Sequence, residues 1–405
     1  MKKNLRWTGM ACTLILSLAL TACGASTSQT ASPSASPSGS DTPEAAASAN
    51  GWLKQAGLDL AETTEKLYEK AKLEGKVTVY SQSSRIKDVK ASFEAEYPGI
   101  EVEAYDMSTN EMIEKLVREQ EAGLYNADVV FIKDAGGTVS QELVADGALH
   151  AYMPEDIVSK LAPGFESSPG LPFYFSTRTI FYNTEVYNEA PVSNWWDLTD
   201  ERWRGKVVID DPMLSADTMD LLVTMVANSD DMAAAYKEKY GEEIVLDGTE
   251  NAGYEFIKRL LANDPVFVKS SDDVVTAVGT PGQQDPPLGV STSSKSRNIV
   301  DKGFKMQFIY DTVPKMSVAG TSYLYVADQA SHTSAAKLLI RWMAGEADGK
   351  AEGFRPYNVL GSWSTRTDIN LTEQRPTNEL NLWEYDGEFL YQNTQKVIDF
   401  ILANQ

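Results

Sequence analysis

Cysteine is absent after residue 23: the only two are Cys12 and Cys23, both near the amino end. A folded region without thiols has no disulfide, no thiolate metal ligand and no thiol nucleophile, so its core must hold it together. Histidine is equally scarce, at His150 and His332 alone. A serine triad or a histidine metal site would need unusual parts. Signatures of common enzyme chemistry are also missing. The sequence has no Gly-x-Ser-x-Gly elbow, no His-Glu-x-x-His, no Walker loop and no Gly-x-Gly-x-x-Gly turn. Carboxylates abound, so composition leaves open a secreted, carboxylate-dependent glycoside hydrolase. Basic residues are in deficit, 36 Lys and Arg against 58 Asp and Glu, for a formal net charge of −22. Nucleic-acid binding needs a basic face and is disfavoured. Such acidity suits solubility at an exposed surface, and a small pocket on an acidic protein can still be locally positive.

Long apolar runs are missing as well, with one exception. Lys2, Lys3 and Arg6 precede a run from Met10 to Leu20 that only Thr13 and Ser17 interrupt. A positive region, a short apolar core and small residues after it form the layout of a secretory signal, and the core is too short to span a bilayer. Residues 24–50 are Ser, Thr, Ala, Pro and Gly with almost no large apolar side chain. That composition cannot offset its ordering entropy and reads as a flexible tether. Leu20-Thr21-Ala22-Cys23 resembles the bacterial lipobox. The resemblance implies that 1–22 is removed, taking Cys12 with it, that Cys23 is acylated, and that 23–50 links the lipid to the folded region. The expected location is the extracytoplasmic face of the cell membrane.

The folded region is organised around Val77–Arg85. Val77, Thr78 and Val79 predict a strand, Ser81, Ser83 and Ser84 a turn, and Ile86, Val89, Phe93 and Tyr97 a helix. Such a turn sits where open α/β sheets place ligands, and where free N–H groups favour an anion. The plainer alternative is that Ser83 or Ser84 caps the helix. Strands over 100–105 and 128–132, with helical spacing between them, continue an α/β pattern. The strand at 128–132 leads into Lys133, which is either a ligand cation or a solvated loop lysine. Phe173–Phe175 and Thr179–Tyr182 look like two strands. The strand 205–210 runs through Ser215 and Asp217 into a helix bearing Met219, Leu222, Val223 and Val226. Val274–Val278 has high β-propensity but also suits a helix. Leu288–Val290 spills into Ser291–Lys295, with Arg297 nearby. Three hydroxyl-rich turns thus follow three strands, and Ser322–Val326 alternates so that Tyr323 and Tyr325 share a face.

The run Lys72–Tyr80, Phe181-Tyr182-Asn183, Trp196-Asp197-Leu198 followed by Trp203–Val207 and Asp211-Pro212, and the late helix Ala335–Trp342 together resemble ABC-transporter solute-binding proteins of the ferric-iron and related class. The resemblance covers nearly everything from Leu67 to Ile369. It implies a type II periplasmic-binding-protein fold, two α/β lobes joined by crossing hinge strands, that clamps a solute without enzymatic turnover. The expected division is a first lobe over 51–171, a second over 172–309, and a return to the first, with C-terminal helices, over 310–405. The implied partners are a small solute, an ABC permease and a lipid anchor. The chain is expected to act as a monomer with no cofactor. The hydroxyl turns and Lys133 favour an anion such as an organophosphate or phosphonate, with Ser83, Ser84, Lys133, Ser215, Ser293 and Tyr323 as ligand-binding residues. The ferric-iron alternative would use Tyr323 and Tyr325, a spacing that departs from the adjacent tyrosines of the iron-binding members.

If Cys23 carries the anchor, Cys23→Ala releases the protein from membranes into the soluble fraction. Retention of the variant on membranes after a high-salt wash would refute the acylation.

Overall fold

The computed structural model describes residues 51–165, 167–369 and 372–405. The expected signal, Cys23 and the tether lie outside the described residues. The first parallel set consists of β1 (Lys76–Ser81), β2 (Glu101–Asp106) and β3 (Val129–Lys133), alternating with helices Ile86–Glu96 and Thr109–Glu121. β1 runs parallel to both neighbours and is buried at every position after Lys76. Period-two alternation then feeds two cores. Val77, Val79, Val129 and Phe131 point into one, Tyr80, Val130 and Ile132 into the other.

After the short β4 (Leu149–His150) comes β5 (Leu171–Asn183), buried along its whole length. The pattern predicts two strands here, but the structure makes one. Arg178, which interrupts the apolar run, is buried at 7% exposure with its guanidinium bonded to Asp210, Ser271 and Ser215 of the second lobe, and its backbone pairs with Thr292, so the strand continues through it. The second parallel set is β6 (Val207–Asp210), β7 (Val266–Val268) and β8 (Leu288–Thr292), with β6 in the middle. β9 (Met306–Phe308) pairs with the end of β5. β10 (Ser317–Ala327) runs antiparallel to both β3 and β5. The two-residue strands β11 (Trp363–Ser364) and β12 (Leu382–Trp383) add to β5 and β10.

The resulting order is β2-β1-β3-β10-β5-β8-β6-β7. β5 and β10 are the crossing strands between two α/β lobes. Val274–Val278 proves helical, within Ser271–Gly279. Ser270 caps that helix by accepting from Asp273 N, and Val274, Val275 and Val278 share its buried side. The chain after 310 divides between the lobes. Residues from Leu324 to Ile369 join the first core, whereas Leu390, Val397 and Ile401 of the closing helix Gly387–Asn404 pack with Ile209, Leu222 and Ile257 of the second.

The second core contains one contact too close for any side chain. A Cβ on Gly253, in helix Ala252–Ala262, would lie 2.4 Å from Met225 O and 2.5 Å from Val226 Cα. Gly253→Ala forces this helix away from helix Ala216–Ala227, which carries Met225 and Val226, and should destabilise the protein by about 1–3 kcal/mol despite alanine's better helix propensity. Urea unfolding with an unchanged midpoint would show that the helices yield freely.

Candidate functional site

All six parallel strands end at one cleft. From β1 come Gln82–Arg85, from β2 Asp106 and from β3 Lys133. The second lobe contributes Leu214–Asp217 after β6, Ser270–Asp272 after β7, and Ser294, Lys295 and Arg297 after β8. Tyr174, Ser176 and Arg178 of β5 form the floor, and the cavity is about 510 Å³. That volume suits a small metabolite. Four helices begin at the cleft: Ile86–Glu96, Thr109–Glu121, Ala216–Ala227 and Ser271–Gly279. Each amino end adds a positive partial charge, so the backbone alone favours an anion here.

Three serines act as caps or cross-links rather than free ligands. Ser215 accepts from Thr218 N and from the Arg178 guanidinium (2.8 Å), and Ser108 and Ser270 cap their helices. The cap reading and the site reading are therefore compatible for Ser215, which lines the cleft as it caps. Ser83 accepts from Arg85 N (3.4 Å), while Ser84 is exposed and makes no side-chain hydrogen bond within the described residues. Both line the cleft, together with Lys133.

Ser293 does not. It accepts from Thr177 N and donates to Gly361 O, which buries it completely; Ser294 faces the cleft in its place. A one-residue offset in the short helix Ser293–Arg297 accounts for the difference. Tyr323 and Tyr325 share a face, as alternation requires, but that face packs on Tyr80, Val130 and Ile132, away from the cleft. Burial, reinforced by the Asp134 charge, pushes the Tyr323 phenol up to about 12. Tyr325 is fully buried against Gly170. His150 and His332 each face a carboxylate, Asp328 and Asp128, both at 2.9 Å and away from the cleft.

Lys133 faces the cleft, but its ammonium bonds Asp217 across the lobes at 2.9 Å. Arg178 bonds Asp210, Ser271 and Ser215 and lies 3.6 Å from Asp217. Burial drives the Asp217 carboxyl up, and the charges of Lys133 and Arg178 outweigh it and hold the group below its ordinary range. Lys295 pairs with Asp272. Of the five cations that line the cleft, Arg85 and Arg297 make no ion pair among the described residues. Arg85 donates to Pro356 O and lies 4.9 Å from the Tyr357 ring centroid; Arg297 donates to Ser294 O. Burial, and then the Arg85 charge opposite, pushes the Arg297 guanidinium below its usual value. Sequence reasoning had both residues in view, Arg85 directly after Ser84 and Arg297 beside Lys295. No local signal distinguished them from Lys133, because the pairing of Lys133 with Asp217 joins residues of different lobes.

Residues 88–381 match the family described as bacterial extracellular solute-binding protein. The chain belongs to that family. A search of curated protein sequences finds no match. Among solved structures, the fold of this solute-binding protein is similar to iron-bound HitA from Pseudomonas aeruginosa, with TM-score 0.62 and 14% identity over 81% of this chain and 99% of that chain. It is also similar to AfuA from Actinobacillus pleuropneumoniae with fructose-6-phosphate bound, with TM-score 0.61 and 16% identity over 81% and 97%. A third is the substrate-binding protein of an ABC transporter from Agrobacterium tumefaciens, with TM-score 0.61 and 15% identity over 81% and 94%. At these identities the shared property is the fold.

Beneath the cleft, Asp220 reaches from the second lobe to the turn after β3, where Gly136 N donates to it (3.1 Å). Burial pushes the Asp220 carboxyl well above its ordinary 3.8, and the charges of Asp217 and Asp134 push it further. A carboxyl with a raised native pKa takes up a proton on folding. Its contribution to stability is full below the unfolded value and is lost as pH rises through the native one. Asp220→Asn retains the acceptor for Gly136 and removes this titration. Its melting temperature should match wild type near pH 4 and exceed it increasingly toward neutrality. Parallel pH profiles for the two proteins would exclude the coupling.

Proposed function

We propose that the protein is the solute-binding component of an ABC importer and that it captures a small anionic solute, such as an organophosphate or phosphonate, between its lobes. The observation that carries the anion is the pair Arg85 and Arg297. They face the same cleft from opposite lobes, repel each other and make no ion pair with a carboxylate among the described residues. An anion between them relieves that repulsion and would favour closure of the lobes, while the four helix ends supply further donors. Ser83, Ser84 and Ser215 add hydroxyls, and Lys133 with Asp217 sets the floor.

The ferric-iron reading is less favoured, because a hard cation needs phenolates and both candidate tyrosines lie away from the cleft with their phenols kept protonated. Family membership supports transport over catalysis, and the same cleft gives the glycoside hydrolase no advantage: two of its carboxylates, Asp217 and Asp272, are tied to cations. No helix among the described residues is long and apolar enough to cross a membrane. The lipobox resemblance of Leu20–Cys23 supports attachment through an acylated Cys23, with 23–50 as the tether from which the lobes would meet a permease as a monomer.

A charge-assisted hydrogen bond contributes about 1.5–3 kcal/mol, so Arg297→Ala should weaken anion binding roughly ten- to a hundredfold. Calorimetry with inorganic phosphate, sugar phosphates and phosphonates measures this, with ferric citrate as the competing probe. Unchanged anion affinity in Arg297→Ala, or a visible iron charge-transfer band that disappears in Tyr323→Phe, would overturn the anion reading.

A further inference from the structure

The cleft contains an acceptor as well as cations. Three carboxylates line it: Asp106, Asp217 and Asp272. Asp217 is held by Lys133 and Arg178, and Asp272 by Lys295 and Lys302. Asp106, the last residue of β2, is exposed and makes no side-chain hydrogen bond or ion pair within the described residues. Asn110, in the first turn of the next helix, is likewise exposed and has no side-chain partner there. On the opposite lip Leu214 is 60% exposed, the largest aliphatic side chain that lines the cleft.

A bare inorganic anion would leave much of the roughly 510 Å³ empty and would be repelled by Asp106. An ionised carboxylate only accepts hydrogen bonds. Whatever lies against Asp106 must donate.

We propose that the solute is a bifunctional organophosphate or organophosphonate: its anionic head lies between Arg85 and Arg297, and its tail presents a hydrogen-bond donor, a hydroxyl or an ammonium, to Asp106. The carbon skeleton between the two ends rests against Leu214, and Asn110 supplies a second partner for the tail. Asp106 is then the residue that discriminates among anions. This inference rests on the anion reading above, and its test separates the two.

The test is calorimetry on the full chain with four probes: inorganic phosphate, propylphosphonate, glycerol 3-phosphate and 2-aminoethylphosphonate. Propylphosphonate has no donor on its tail; the last two carry hydroxyls and an ammonium. At least one donor-bearing probe should bind wild type tenfold or more tighter than propylphosphonate. In Asp106→Ala that preference should shrink to about twofold, while inorganic phosphate and propylphosphonate bind equally well or slightly tighter. Asp106→Asn tells the two tails apart, since an amide keeps an acceptor for a hydroxyl but loses the charge that selects an ammonium. Asp106 is exposed and unpartnered, so both variants should melt as wild type does.

Equal binding of donor-bearing and donor-free probes to wild type, or discrimination that survives Asp106→Ala, would overturn the proposal while leaving the anion reading intact. If no probe binds, or if Arg297→Ala binds all of them as wild type does, the anion reading falls and this inference falls with it.

Discussion

The antiparallel pairing of β5 with β10 is the contact on which the cleft depends. These two strands are the crossing link between two parallel sets, β2-β1-β3 on one side and β8-β6-β7 on the other. Because parallel strands need crossover helices, each set places its loops and helix amino ends on the edge where its strands finish. The crossing pair brings those two edges face to face. If β5 were two strands with a break at Arg178, the floor of the cleft would lose its continuity, and Arg178 could not serve Asp210, Ser271 and Ser215 together.

Charge in the cleft is arranged in two layers. In the floor, Lys133, Arg178, Asp210 and Asp217 largely neutralise one another, and the ion pair between Lys133 and Asp217 ties the lobes together. Buried ion pairs of this kind add little net stability, but each becomes costly if one partner is lost. Their effect is to hold geometry. At the mouth, Arg85, Arg297 and Asp106 make no ion pair among the described residues. A solute meets unused donors and an unused acceptor there. The protein carries an overall charge of −22 yet keeps this site positive, because five cations line the cleft against three carboxylates.

Much of this was legible in the chain. Strand and helix periodicities over Val77–Lys133 and Val207–Val226 identified an α/β protein, since a buried parallel strand needs continuous apolar residues and a crossover helix needs spacing near 3.6. Hydroxyl residues after Val79, Ile209 and Val290 located three of the strand ends that form the cleft. Local sequence cannot express which cation is neutralised. Lys133 is a loop lysine until a helix 84 residues later brings Asp217 to 2.9 Å from it. Ser293 and Ser294 are adjacent and chemically alike, and only the contact with Gly361 O decides that Ser293 is withdrawn and Ser294 faces solute.

The sequence by itself determined the fold class, the two repeated α/β patterns and the absence of thiols from the folded region, because each depends on composition or on periods of two to four residues. Tertiary structure alone decided that β5 is continuous, that Tyr323 and Tyr325 turn away from the cleft, and that Arg85, Arg297 and Asp106 are the cleft charges without an ion pair among the described residues. Those outcomes depend on which distant groups meet, and long-range pairing leaves no mark in the local spacing of residues.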